Sequence, residues 1–239
     1  SEMTSAGYAY KIDTELRPEG DAGVLVLSVD GYEKYFKSRA RIWEQQSLVR
    51  ARFVAGNAGV GKIFVESSQK FVYQDKFEYG ALIEISRLRE RMEQELAKEA
   101  TKGKNVKLGF GGLADIEFVV QILQLMYGNK FLCLRETNTI LALQSLIALG
   151  LVDQGMAEEL QGSYLFLRNL ECVLRIIRQT STNTLPKENK ELAPVARLLG
   201  YEGKDAKTLS EALLTDYDLH TQRVRKHYRK TIGNLLRAH

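Results

Sequence analysis

The stretch Gln154–Ser181, QGMAEELQGSYLFLRNLECVLRIIRQTS, decides the fold. Its large apolar residues Leu160, Tyr164, Leu167, Leu170, Leu174 and Ile177 recur at steps of three and four, the period of one helix face. A seam that regular belongs to a helix packed lengthwise against others. The spacing returns in Leu213, Tyr217, His220, Val224, Tyr228, Ile232 and Leu235, which predicts a second long helix over about 207–237. Shorter patterns predict helices at about 113–127, 137–149 and 189–199. Together they describe an antiparallel helical bundle.

Upstream, residues 79–100 read as a charged helix with Leu82, Ile85, Leu88 and Met92 inward and Glu and Arg on a solvated outer face. A Gly/Lys-rich break follows at 101–112. Three further helices are predicted: one capped by Asp30, one from Trp43 to about Val54, and one from Val60 to Tyr73. The start of the chain reads differently. Tyr8, Tyr10, Ile12, Thr14 and Leu16 alternate with Ala9, Lys11, Asp13 and Glu15, the pattern of a half-buried strand. Pro18 ends it, Gly20–Gly23 turns the chain, and Val24–Leu27 reads as a second, buried strand.

Of the 239 residues, 44% are hydrophobic and 27% charged, an ordinary globular composition. No apolar run approaches the ~20 residues a membrane helix needs, so no membrane association is expected. A net charge of +4 is too weak to imply nucleic acid by itself. Cys133 and Cys172 sit in apolar helical sequence, away from any CxxC pair or histidine. With no signal-peptide pattern at the start, a cytoplasmic location is the expectation.

Several segments can carry chemistry. Asp13 and Glu15 lie on one strand face, about 6.5–7 Å apart at ~3.3 Å per residue, a spacing that suits either a divalent metal or a solvated polar face. Arg17 points with them. Gly111 and Gly112 open a helix whose free amides can face an anion, with Lys107 just upstream. Glu117, Gln121 and Gln124 form a polar stripe that neighbouring helices or a ligand must satisfy. In Trp43–Arg52, helical phase sends Arg50 and Arg52 to different sides. His220 and His227 stand among Arg223, Arg225, Lys226, Arg229 and Lys230, a cluster that is either a solvated face or a docking patch for an acidic partner. Arg168, Glu171, Arg175 and Arg178 read as a structural outer stripe.

Three of these segments, in this order, resemble the bacterial glutamine synthetase adenylyltransferase/deadenylylase family. They are Asp13–Pro18 (D-x-x-L-R-P, then G-V-L-V), Trp43–Arg52 (W-E-x-Q-x-L-V-R-A-R) and Gly111–Gln121 (G-G-L-x-D-I-E-F-V-V-Q). The helical part is also similar, more distantly, to bacterial signal-protein uridylyltransferases. The resemblance implies a mainly α chain: the C-terminal part of a nucleotidyltransferase α+β core (1–111) followed by a helical bundle domain (112–239). It implies transfer of AMP from ATP to a tyrosine of glutamine synthetase, or removal of AMP by phosphorolysis in the other half of the parent enzyme. Asp115 and Gln46 lean toward the adding, C-terminal half.

By the same resemblance, Asp13 matches a catalytic carboxylate and, with Glu15, binds Mg2+ in a two-metal site. Arg17, Arg50, Lys107, Gly111 and Gly112 are candidates for phosphate contacts, with Glu117, Gln121 and Arg52 in support. The family's Gly-Ser motif and following Asp-x-Asp pair do not precede Asp13, and the Gly162-Ser163 pair has no acidic pair after it. The chain therefore reads as a fragment, expected to be inactive alone. Glutamine synthetase is the expected partner, with a PII-type signal protein and glutamine as further ones. The rival reading is a docking and regulatory bundle for the same partners.

Overall fold

The computed structural model describes residues 14, 16–99, 103–179 and 182–238. Its regular elements are helical: α1 (Val29–Ser38), α2 (Ile42–Leu48), α3 (Ala58–Val72), α4 (Tyr79–Glu99), α5 (Leu113–Tyr127), α6 (Thr139–Ala148), α7 (Gln154–Arg178), α8 (Asn189–Leu198) and α9 (Ala206–Arg237). Short polar side chains fix many of the starts. Ser28, Asn57, Asn138, Asp153 and Asp205 each accept a hydrogen bond from an amide of the first turn they precede.

The chain divides into two compact units, Ser1–Asp75 and Lys76–His239. In the first, α1 and α2 pack on α3. Phe36 stacks on Phe71 with ring centroids 4.7 Å apart, and Tyr32 meets Phe64 edge-on at 4.9 Å. In the second, α9 lies along α7 and α8 and also touches α4 and α5. Leu160, Leu167, Leu170 and Leu174 of α7 and Leu213 and Val224 of α9 are fully buried, so most of both predicted seams faces the core; Ile177, at the end of the first, is exposed. The division falls ahead of α4 because that helix buries Leu82 and Ile85 within the bundle, against α5 and α9.

The structure corrects several expectations. Among the described residues there is no strand, only an isolated antiparallel bridge between Asn105 and Thr184. Val24–Leu27 is not a buried strand; Val24, Leu25 and Val26 are 62%, 73% and 82% exposed. A strand needs a partner's backbone to complete its ladder, and no described segment supplies one. The first predicted strand falls mostly outside the described residues, so the implied α+β core has no support here beyond the helices. Ser28, not Asp30, caps α1, and α2 stops at Leu48, six residues short of the predicted end. Cys133 and Cys172 are exposed free thiols, Cys133 on a short 3-10 turn.

Candidate functional site

The segment that opens α5 is built by one asparagine. Asn105 Oδ1 accepts the amides of Lys107 (3.0 Å) and Leu108 (2.8 Å), and its carbonyl accepts that of Gly109 (3.1 Å). Val106 is pinned across the bridge by donating to Asn183 O at 2.8 Å. The chain then re-enters on itself: Leu113 and Ala114 donate to the carbonyls of Val106 (3.0 Å) and Lys107 (2.9 Å). Gly111 has φ +62°, and a Cβ there would meet the Thr221 carbonyl oxygen of α9 at 1.8 Å. Glycine is required at that position both for the left-handed backbone and for the close approach of α9.

These contacts bear on the expected anion cradle. The amide of Gly111 donates to Asp115 Oδ2 (3.1 Å), and those of Gly112 and Asp115 donate to the carbonyls of Gly109 and Gly112. The helix start that sequence offers to a phosphate is thus filled by the chain's own oxygens. Asp115, fully buried, plays the anion's part.

Around Asp115 the bundle holds a compact ion cluster. Arg89 of α4, 0% exposed, donates from Nε to Asp115 Oδ1 (2.7 Å) and from Nη2 to Gly109 O (3.0 Å). Arg225 of α9 places Nε 3.1 Å from Asp115 Oδ2 and pairs through Nη2 with Glu93. Glu93 also lies 3.6 Å from Arg89 Nη1. Burial pushes the Asp115 carboxyl above its ordinary value, while the guanidiniums of Arg89 and Arg225 pull the other way. Two cations and two anions cancel, so the cluster ties α4, α5 and α9 together without calling for a further ion.

Sequence reading missed Arg89, Glu93 and Arg225 because charge suggested an outer face. The signal was their phase. Arg89 follows Leu82 by seven residues, and Arg225 lies between Thr221 and Tyr228 on the buried side of α9.

A second network satisfies the polar stripe of α5. Arg168 of α7 donates to Glu117 (2.5 Å), to Glu171 (2.7 Å) and to the Tyr164 hydroxyl (3.1 Å). Burial opposes the charge on Arg168, but the Tyr164 hydroxyl and the carboxylates of Glu117 and Glu171 raise its pKa overall. The expected Glu171–Arg175 pair is present at 2.7 Å; Glu171 itself is only 2% exposed, so that stripe is half interior. Gln124 donates to the carbonyls of Leu134 (2.6 Å) and Glu136 (2.7 Å), fixing the segment before α6. Gln121 is buried on the same helix. Glu117 and Gln124 are thus engaged in packing.

In the first unit, Arg17 closes a turn by donating to Thr14 Oγ1 (2.7 Å), Thr14 O (3.0 Å) and Gly23 O (3.3 Å). Glu44 accepts from the Tyr35 hydroxyl and from the Arg41 amide, both at 2.7 Å, and Gln45 donates to Phe71 O and Val72 O. Glu44 and Gln45, just after Trp43, therefore build the unit from within. Arg50 and Arg52 lie beyond the end of α2, both exposed, so helical phase does not govern them. Arg52 edges a groove of about 630 Å³ walled by Tyr32, Phe53, Val54, Val60 and Phe64.

Asp13 and Glu15 lie outside the described residues. Among the described ones, no three His, Cys, Asp or Glu side chains are grouped so as to hold a metal ion. The two described histidines are engaged elsewhere: His227 Nε2 pairs with Glu159 at 2.5 Å, and His220 Nδ1 lies 3.0 Å from Ser163 Oγ with its ring stacked on Phe166. Among the described residues no helix is long and apolar enough to cross a membrane.

Comparison with known proteins agrees with the motifs. The family described as GlnD PII-uridylyltransferase matches residues 84–232, and the one described as glutamate-ammonia ligase adenylyltransferase matches residues 1–67. The chain is similar to proteins named bifunctional glutamine synthetase adenylyltransferase/adenylyl-removing enzyme. That of Hahella chejuensis is 34% identical over 200 residues, covering 84% of this chain and 21% of the relative. That of Pseudomonas syringae pv. tomato is 30% identical over 232 residues, 97% of this chain and 23% of the relative. That of Cutibacterium acnes is 37% identical over 205 residues, 86% and 21%. The chain thus spans about a fifth of the length of these relatives. With the adenylyltransferase match at its start and the uridylyltransferase match across its bundle, it belongs to the bacterial glutamine synthetase adenylyltransferase/adenylyl-removing enzyme family.

Proposed function

We propose that this chain is the end of a nucleotidyltransferase core, with its helical bundle, from an enzyme that transfers AMP from ATP to a tyrosine hydroxyl of glutamine synthetase. The observation that carries the reading is the D-x-x-L-R-P segment at Asp13–Pro18, inside the stretch matched by the adenylyltransferase family. Asp115 and Gln46 favour the adding half over the removing one. Both are buried, and Asp115 lies at the ion cluster.

In this reading Asp13, with Glu15, would hold magnesium. When bound, magnesium supplies neutralisation of the charge on the transferred phosphate. Asp13 can also take the proton of the attacking hydroxyl. Arg17 and Arg50 are the phosphate contacts, Arg17 from a turn whose geometry its own guanidinium fixes. The Gly111–Gly112 turn is left to packing, because its amides are already satisfied. Glu117 acts indirectly, by holding α7 to α5 through Arg168.

The test is Asp13→Asn in the longer enzyme, read as incorporation of labelled AMP into glutamine synthetase. The substitution removes one negative ligand without changing volume and should nearly abolish transfer. A rate close to that of the unaltered enzyme would show that Asp13 is only a solvated residue.

A further inference from the structure

After Asp218, α9 carries no acid to its end, yet it carries Arg223, Arg225, Lys226, Arg229, Lys230 and Arg237. Arg225 is buried and neutralised by Asp115 and Glu93. The other five behave differently. At 100° per residue, Arg229, Lys226, Arg237, Lys230 and Arg223 fall within an arc of about 120°, and Arg223 to Arg237 runs about 21 Å along the axis. Lys226, Arg229, Lys230 and Arg237 are exposed and Arg223 is half-buried.

Elsewhere in this unit some surface cations find acids: Lys104 pairs with Asp218, Lys207 with Glu211, and Arg178 with Glu191, while single ones such as Lys190 and Lys204 do not. No carboxylate among the described residues pairs with the five. Across the helix interface, Glu159 of α7 lies in the field of Arg223 and Lys226 but is already bonded to His227. Beside it, Glu158 accepts from Gln154.

Two bland explanations fall short. The helix dipole favours cations only within the last turn, which covers Arg237 and not residues 223–230. Like charges three and four residues apart, such as Arg223, Lys226 and Lys230, disfavour the helix slightly and return nothing within the chain. One edge of the arc also carries an apolar anchor. Phe110 is 46% exposed, set on the Gly109–Gly111 turn, with the Arg225 and Arg229 guanidiniums 4.6 and 5.9 Å from its ring centroid. Arginines around an exposed aromatic are the residue types that anchor protein interfaces.

We propose that this arc of α9, with Phe110 at its edge, is the docking surface for an acidic face of the protein substrate, glutamine synthetase; the identity of the partner rests on the function proposed above. A straight row of cations on one helix suits a flat acidic protein surface. One exposed aromatic gives little to stack nucleic acid bases on.

The test is a fluorescence-anisotropy titration of the labelled 239-residue chain with glutamine synthetase, at about 50 and about 300 mM salt. Lys226→Glu/Lys230→Glu should weaken binding about tenfold or more at low salt and less at high salt. Lys190→Glu/Lys204→Glu, with the same change in charge on exposed residues elsewhere, should change it less than about twofold. The milder Lys226→Gln/Lys230→Gln decides the matter if circular dichroism shows the reversal variant misfolded. Equal affinities for the arc variants and the parent would overturn the proposal. So would an equal loss in the control variant, no binding by the unaltered chain, or tighter binding of a single-stranded RNA oligonucleotide than of glutamine synthetase. The Asp13→Asn assay on the longer enzyme reports on the reaction independently of any of these outcomes.

Discussion

The two units solve the problem of burying a core in different ways. From Lys76 onward, α4 to α9 interlock aliphatic seams, and the buried residues are mostly Leu, Ile, Val and Ala. In the first unit the described buried hydrophobic residues are Tyr35, Val49, Val72 and Tyr73, and the rest of the interior is polar: Glu44, Gln45, Gln46, Ser67 and Ser68. The same unit leaves Leu25, Val26, Val54, Val60 and Ile63 more than half exposed. Apolar burial near 25 cal/mol/Å² is non-directional and tolerant, whereas a hydrogen-bonded polar interior fixes geometry and adds little net stability. The bundle is therefore the stable body, and the first unit holds its shape through specific bonds such as Tyr35 to Glu44 and Gln45 to Phe71.

The sharpest way to break this contrast is at the most deeply buried ion cluster of the bundle. Asp115→Asn removes the charge that compensates Arg89 and Arg225, both buried. Stranding buried guanidiniums should cost about 3–5 kcal/mol in urea unfolding. A loss below about 1 kcal/mol would mean that the cluster is solvated and that α4 is held by its apolar face alone.

The aliphatic seams give the next largest effect. Leu167→Ala, at a fully buried position of α7, should cost about 2–5 kcal/mol. Val54→Ala, at a position 76% exposed in the first unit, should stay within about 0.5 kcal/mol. If the two losses were equal, Val54 would be packed in solution and the contrast between the units would fail.

Those seams were legible in the sequence because apolar spacing reports burial directly. The bounds of α4 to α9 came out within a few residues of expectation, with α7 the furthest off, at Arg178 against a predicted 181. What was not legible came from two sources. Buried charge imitates surface charge, so Arg89 reads as solvated and Glu171 as part of an outer stripe although both are interior. Strands depend on partners distant in sequence, and a pattern such as Val24–Leu27 cannot announce whether a partner is present. The site was legible as motifs but less so as roles. The sequence offers Gly111 as an anion-facing position, whereas the geometry gives it the close approach of α9.

That approach supplies a third test. Gly111→Ala places a methyl against the Thr221 carbonyl at a φ of +62°, so the turn or α9 must shift. The loss should be about 1–3 kcal/mol, read as a lower thermal midpoint of the bundle. An unchanged midpoint would show that α9 can move away freely, and the cluster around Asp115 would then hold the helices less tightly than its distances imply.

The smallest effect is a pH dependence within the bundle. Burial lowers the pKa of His220 below its ordinary 6.5, the Arg223 guanidinium pushes the same way, and Asp216 opposes them. The fold therefore prefers the neutral ring, which stacks on Phe166 and reaches Ser163. For a base with a depressed folded pKa, the unfolded chain takes up the proton first as pH falls. The stabilising contribution is complete above pH 6.5 and is lost as pH falls through the folded value. Because the ring is only partly buried, the change should stay below about 1 kcal/mol after solvent screening. Urea midpoints measured for the parent and His220→Gln across this range should differ in slope below pH 6.5 and run parallel above it. Parallel curves throughout would mean that the ring titrates in the folded bundle as it does in the open chain, and that its stack on Phe166 makes no distinction between the charged and neutral forms.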